Sequence, residues 1–226
     1  MKWLNKFRQA KTGGMLSSLV NARDRWGVRP SCVIDVGAAQ GRWSLACAGV
    51  WPDADYLLVE PLAENLEALA RLAAERQGWK HVAAAAGETA GEVAFSVSPD
   101  LDGSAVYDDS RGLPQRMVPV VTLDSLRPAA GEILLKLDTH GYELPILAGA
   151  VELLHQCSLL VIEAYGQRIT SASPLMHELC AHLADKGFRV ADVVDVLRRP
   201  SDGSFWQADV FFLKESHPVF SDAFYH

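Results

Sequence analysis

From Ser31 onward the apolar positions switch between two periods. Short continuous runs rich in Val, Ile and Leu read as strands buried on both faces: "CVIDVG", "DYLLVEP", "KHVAAAAG", "EILLKLD" and "SLLVIEAYG". Between them lie stretches with helical spacing: "GRWSLACAGV", "LAENLEALARLAAERQG", "YELPILAGAVELLHQ" and "SPLMHELCAHLADKG". In the second of these, Leu62, Leu66, Leu69 and Leu72 share a face and Gly78 closes the helix. In the last, Ser173 stands at a capping position and Pro174 at the first helical one. Strand and helix in alternation predict an α/β fold with a doubly wound, mostly parallel sheet.

Two regions depart from the alternation. Between about 88 and 126, "EVAFSVS" and "RMVPVVTLDSL" read as strands of an inserted hairpin. At the end, "FRVADVVDVLRR" and "FWQADVFFLK" flank the turn "PSDGS", which predicts an antiparallel hairpin closing the sheet. Before Ser31, Trp3, Leu4 and Phe7, then Met15, Leu16, Leu19 and Val20, recur at helical spacing around Gly13-Gly14. The expectation is an N-terminal helical segment (1–30) docked on one domain (31–226).

The chain has 226 residues, 49% of them hydrophobic, enough for one large core. A net charge of −7 argues against a nucleic-acid partner. Lys2, Lys6, Arg8 and Lys11, with Arg23, Arg25 and Arg29, read as the solvated face of the N-terminal helices. No apolar run is long enough to span a membrane, and the N-terminus lacks the apolar stretch of a signal peptide. Cys32, Cys47, Cys157 and Cys180 are widely spaced in apolar contexts, as expected of small buried hydrophobes in a cytoplasmic protein. Nothing in the sequence signals an oligomeric state.

Doubly wound sheets bind ligands beyond the carboxyl ends of their strands. The first strand ends "DVGAAQG", with Gly37 and Gly41 permitting close backbone approach. Ala39 takes the place of the middle glycine of a dinucleotide fingerprint, so the loop suits a ligand without pyrophosphate. Glu60, at the end of the second strand, is placed to accept both hydroxyls of a ribose. Asp35 either braces the loop or meets a ligand ammonium group. The small residues of "AAAAG" leave room for a flat ring or fill a tight core.

In order, "DVGAAQG", "LLVEP", "VVTLDSL", "ILLKLDTHGYELPILAGA" and "LLVIEAY" resemble the FkbM family of S-adenosylmethionine-dependent methyltransferases. The most specific part is the fourth-strand segment, K-L-D-x-x-G-Y-E-L-x-x-L-x-G-A. The resemblance implies a class I (Rossmann-like) methyltransferase fold and methyl transfer, typically to a hydroxyl of a sugar, glycoconjugate or small natural product. It implies that Gly37, Ala38 and the loop through Gly41 hold the methionine part of S-adenosylmethionine, and that Glu60 with Pro61 takes the ribose. Ser104 corresponds to serines of the family's insert. The family's usual Asn in the first loop is Ala39 here, so one polar contact is missing. Two rivals stand beside this reading: a nicotinamide-dependent oxidoreductase and a non-catalytic S-adenosylmethionine-binding module.

Transfer to a hydroxyl requires positioning and removal of a proton. His140 is a candidate base, or a loop residue exposed to solvent or bonded to Glu143. Asp138 has three readings: it orients His140, touches the cofactor's ammonium group, or ligates a divalent metal together with His140 and Glu163. A metal-free site is the expectation, because such sites usually hold more carboxylates or amides and none is obvious beside Glu163. Lys136 shares a strand face with Asp138 and needs an acid partner: Asp138, Glu163 or Asp35. Tyr142, Glu163 and Tyr165 are candidate contacts for a small-molecule or glycan acceptor, and Tyr142 alternatively packs under the sheet edge. Tyr107, Arg111 and Arg168 are further pocket candidates.

Overall fold

The computed structural model describes residues 14–99, 101, 103–106, 112–126, 128, 131–171 and 173–222. The expectations for Trp3, Leu4, Phe7, Lys2, Lys6, Arg8, Lys11, Tyr107 and Arg111 lie outside the described residues.

Helix α1 (residues 14–24) leads into β1 (Cys32–Val36), α2 (Arg42–Ala48), β2 (Asp55–Val59), α3 (Ala63–Glu75) and β3 (Trp79–Val82). The insert follows as β4 (Ala85–Ala86), β5 (Gly91–Ser96), β6 (Ala105–Val106) and β7 (Gln115–Val121). The chain returns through β8 (Ile133–Leu137), α4 (Glu143–Ala148), α5 (Val151–Gln156), β9 (Cys157–Tyr165) and α6 (Met176–Ala184). The hairpin β10 (Phe188–Arg198) and β11 (Phe205–Lys214) ends the main sheet.

The main sheet has seven strands in the order β10-β11-β9-β8-β1-β2-β3, and β11 runs antiparallel to both its neighbours. Its central strands are buried throughout, so their side chains feed two cores by period-two alternation. Ile133, Leu135 and Leu137 join Ile146, Leu147, Leu153 and Leu179 of α4–α6. Leu134, with Val33, Leu58 and Val161, joins Leu19, Cys47 and Leu69 of α1–α3 on the other face. The insert forms a second, four-stranded sheet, β4-β7-β5-β6, whose Phe95, Val118 and Val120 pack with Leu62. Among the described residues no helix is long and apolar enough to cross a membrane.

The elements differ from the expected ones in three places. The run "KHVAAAAG" is not one strand: β3 stops at Val82 and Ala85–Ala86 pair with β7 in the second sheet. Alanines suit a strand or a crossing equally, so the run carries no mark of the break. The segment after β8 is two helices. The first ends at Gly149, where an added Cβ would come 2.1 Å from the Gly87 carbonyl oxygen. The second has its own cap, since Asp124 Oδ1 accepts from Leu153 N–H at 2.8 Å and Oδ2 from Glu152 N–H at 3.2 Å. Ser173 does not cap α6. Its hydroxyl accepts from the backbone amides of Ile169 and Thr170, and Glu178 instead accepts from Leu175 N–H at 2.8 Å.

Candidate active site

Register brings the strand ends into line. Val36 pairs with Val59 and Leu137, and Leu137 pairs with Ile162. The residues just beyond, Gly37, Glu60, Asp138 and Glu163, therefore form a row along the carboxyl edge of the sheet. With the insert above them they enclose a cavity of about 440 Å³, the size of a small-ligand site. Pro61, Ser104, His140 and Tyr142 also line it.

Gly37 has φ +78°, and a Cβ there would lie 2.0 Å from the Asp138 carbonyl oxygen. Only glycine lets β1 and β8 end this close together. Gly41, at φ +76°, does not line the cavity: an added Cβ would strike Leu72 of α3 at 2.5 Å. Its glycine serves helix packing. Ala38 is buried in the core on the α1–α3 face and does not line the cavity either. Ala39 does, at φ +46°, a left-handed conformation that is unusual without a glycine.

Glu60 holds this loop. Its Oε2 accepts from Ala39 N–H at 2.8 Å and its Oε1 from Leu62 N–H at 2.9 Å. Burial pushes its carboxyl above the usual range, opposed by those two amides and by Asn65. A carboxylate has about four acceptor positions, so these bonds leave capacity for a ligand hydroxyl.

Behind the row lies a charged core. Lys136, 4% exposed, sits 3.1 Å from Asp138 Oδ2 and 3.5 Å from Asp35 Oδ1. Burial favours its neutral form, but Asp138, Asp35 and Asp209 outweigh that and hold the ammonium charged. Asp35, 1% exposed, accepts from the Ser44 hydroxyl at 2.7 Å and does not line the cavity. Asp35 therefore stands behind the cavity wall, joined to Asp138 through Lys136. Burial raises Asp35's pKa, with Lys136 and Ser44 opposing.

His140, at φ +53°, turns its ring toward the acids. Its Nδ1 lies 3.1 Å from the Ser104 carbonyl oxygen. Its Nε2 lies 3.8 Å from Asp138 Oδ1 and 3.7 Å from Glu163 Oε2. Glu143 bonds elsewhere: it accepts from Thr139 Oγ1 at 3.1 Å and Gly141 N–H at 2.9 Å, bracing the turn into α4. Burial pushes the Glu143 carboxyl up, with the Gly141 amide foremost among the opposing bonds. Glu163 accepts from the Tyr165 hydroxyl and the Gln207 side-chain amide. Tyr165 lies outside the cavity lining, its hydroxyl pKa driven up by burial and then by Glu163. Tyr142 lines the cavity and also packs near Gly87. Arg168 is bonded to the Ser173 carbonyl and to Glu178, away from the cavity.

Sequence reasoning missed Asn65, Leu197 and Gln207 in the lining. Gln207 is legible afterwards as the one amide in "FWQADVFF", an otherwise largely apolar run. Leu197 is not. Register shifts on both sides of it in β10 re-aim the side chain, and Asp195 at φ +50° is too weak a sign in sequence to announce them.

A parallel sheet ended by an antiparallel strand, with a cavity at its carboxyl edge, defines a class I, Rossmann-like methyltransferase fold. A sequence profile of the methyltransferase FkbM domain matches residues 35–190, and the chain belongs to that family. Among solved structures, it is similar to a methyltransferase FkbM from Methylobacillus flagellatus, with 18% identity and a TM-score of 0.57. That match covers 86% of this chain and 47% of the other, so the chain spans about half the length of that relative. It is also similar to a proposed RNA methyltransferase from Pyrococcus horikoshii, with 13% identity, a TM-score of 0.51, and 88% and 83% of the two chains covered. No curated protein sequence matches the chain.

Proposed function

We propose that the chain is an S-adenosylmethionine-dependent O-methyltransferase acting on a hydroxyl of a sugar, glycoconjugate or small natural product. The observation that carries this reading is the row Gly37–Glu60–Asp138–Glu163 along one cavity in an FkbM-family domain. S-adenosylmethionine, when bound, supplies a methyl group on a sulfonium, and transfer forms an O–C bond while the C–S electron pair returns to sulfur.

The residues fit that group. Ala84, Ala85 and Ala86 leave a flat wall for the adenine. Glu60 accepts from the ribose, beside Pro61. The Gly37–Ala39 backbone passes the methionine part, and Asp138 faces its ammonium end. Ser104 closes the cavity from the insert. The acceptor lies at the other end, against Tyr142, Glu163 and Gln207. Tyr165 acts there only by holding Glu163. We assign the acceptor proton to His140 and Asp138. Their task is to bring the oxygen into line and lower the cost of its deprotonation.

The acidic net charge of −7 favours a small acceptor over RNA. The resemblance to a proposed RNA methyltransferase, at 13% identity, carries fold alone. The test is calorimetry with S-adenosylhomocysteine and with NAD. Binding of the first without the second is expected. Binding of NAD alone would turn the reading toward an oxidoreductase. Cofactor binding without methyl transfer to any hydroxylated acceptor would leave a binding module.

A further inference from the structure

Three side-chain atoms converge at the polar end of the cavity: Asp138 Oδ1, His140 Nε2 and Glu163 Oε2. One ligand atom from each of the three residues lies within 4.8 Å of the other two. The imidazole nitrogen is 3.8 Å from one oxygen and 3.7 Å from the other, too far for hydrogen bonds. Ligand atoms sharing one ion at 2.1–2.4 Å stand roughly 3–4 Å apart.

Each of the three groups is held from behind. Lys136 Nζ occupies the other oxygen of Asp138 at 3.1 Å. The Ser104 carbonyl, 3.1 Å from His140 Nδ1, can only accept. It therefore fixes the proton on Nδ1 and leaves the Nε2 lone pair toward the two acids. Glu163 receives two donors, the Tyr165 hydroxyl and the Gln207 amide. A carbonyl behind the histidine and donors behind the carboxylate are how proteins orient metal ligands.

The surrounding charge supplies a second, independent indication. Asp209 pairs in register with Glu163 and is itself buried, as is Asp35. Against these acids, Lys136 is the only lysine or arginine among the buried residues described. Buried acids outnumber buried cations here, and a bound cation would favour their ionised forms.

We infer that Asp138, His140 and Glu163 form a divalent-cation site. Two oxygens and one nitrogen suit manganese(II) better than magnesium, which prefers oxygen donors. The remaining coordination positions face the cavity. There the acceptor hydroxyl binds the ion and gives up its proton to solvent water more readily. This chemistry rests on the methyltransferase reading, while the site itself rests on geometry. His140 and Asp138 then act on the proton through the ion they hold.

The test uses the full chain, cleared of metal with a chelator and titrated with manganese(II) chloride. The electron paramagnetic resonance signal of free manganese is followed. The expected result is uptake of about one ion per chain, weakened at least about tenfold by His140→Ala, a loop substitution, and by Glu163→Gln. No uptake by the wild type overturns the inference. So does uptake that persists unchanged in His140→Ala. Calorimetry with S-adenosylhomocysteine on the same samples separates the two readings. Cofactor binding without manganese uptake defeats the site and spares the methyltransferase. Histidine-dependent manganese uptake without cofactor binding does the reverse.

Discussion

Glu60→Gln keeps the side chain's shape and removes its charge. The amides of Ala39 and Leu62 donate to separate carboxylate oxygens at 2.8 and 2.9 Å. A carboxamide offers one acceptor oxygen and one NH₂, so one backbone N–H then faces another donor. A hydrogen bond to a charged group contributes about 1.5–3 kcal/mol, and an orphaned buried donor costs about 1–3 kcal/mol. Loss of the charge offsets part of this, because burial already disfavours the ionised form. A net cost of about 2 kcal/mol corresponds to a fall in Tm of roughly 4–8 °C at this chain length. Loss of a ribose contact should weaken S-adenosylhomocysteine about 10- to 100-fold, at about 1.4 kcal/mol per tenfold. Differential scanning fluorimetry without ligand and calorimetry with it read the two effects separately. A lowered Tm with unchanged affinity would reduce Glu60 to a loop brace. No change in either would refute the reasoning altogether.

Other outcomes follow from the same geometry. In Glu143→Gln, one amide oxygen can still accept from both Thr139 and Gly141, and the charge is gone. The folded pKa of Glu143 is raised by burial, so its contribution to stability is present at low pH and lost as pH rises through that value. The Tm of the variant relative to wild type should therefore climb between pH 4 and pH 8, and a falling difference would contradict the assignment. Gly37→Ala puts a Cβ 2.0 Å from a backbone oxygen at φ +78°, so urea denaturation should show a loss of more than about 2 kcal/mol. A loss near zero would mean β1 and β8 are not this close. Burial pushes the Cys32 thiol up to about 11 and the Cys157 thiol up to about 12, and raises Cys47 further. Ellman's reagent at pH 8 should label half-buried Cys180 in the folded chain and the other three only on unfolding. Rapid labelling of all four would contradict that packing.

The sheet was legible because its strands are continuous apolar runs that cannot face water on either side, and the helices between them carry a clear 3.6-residue period. The two boundaries that misled are set by tertiary contact: Gly149 against Gly87, and Ala85–Ala86 against β7. Neither contact leaves a local signature. Within the cavity, the row of strand-end residues could be read from strand ends alone. Of the acids around Lys136, Asp138 and Asp35 were among those expected and Asp209 was not. Of the groups around His140, Asp138 and Glu163 could be read from the strand ends, and the Ser104 carbonyl could not. That carbonyl comes from the insert, whose position over the sheet edge no local pattern records. Leu197 and Gln207 depended on the bulged register of the terminal hairpin, and both lie beyond the FkbM match.

A crystal structure of the full chain with S-adenosylhomocysteine bound tests the central claim most directly. The ribose hydroxyls should contact Glu60, the adenine should lie against Ala84–Ala86, and the sulfur should face Asp138, His140 and Glu163. Adenosine bound away from Glu60, or a sulfur directed away from those three side chains, would contradict it.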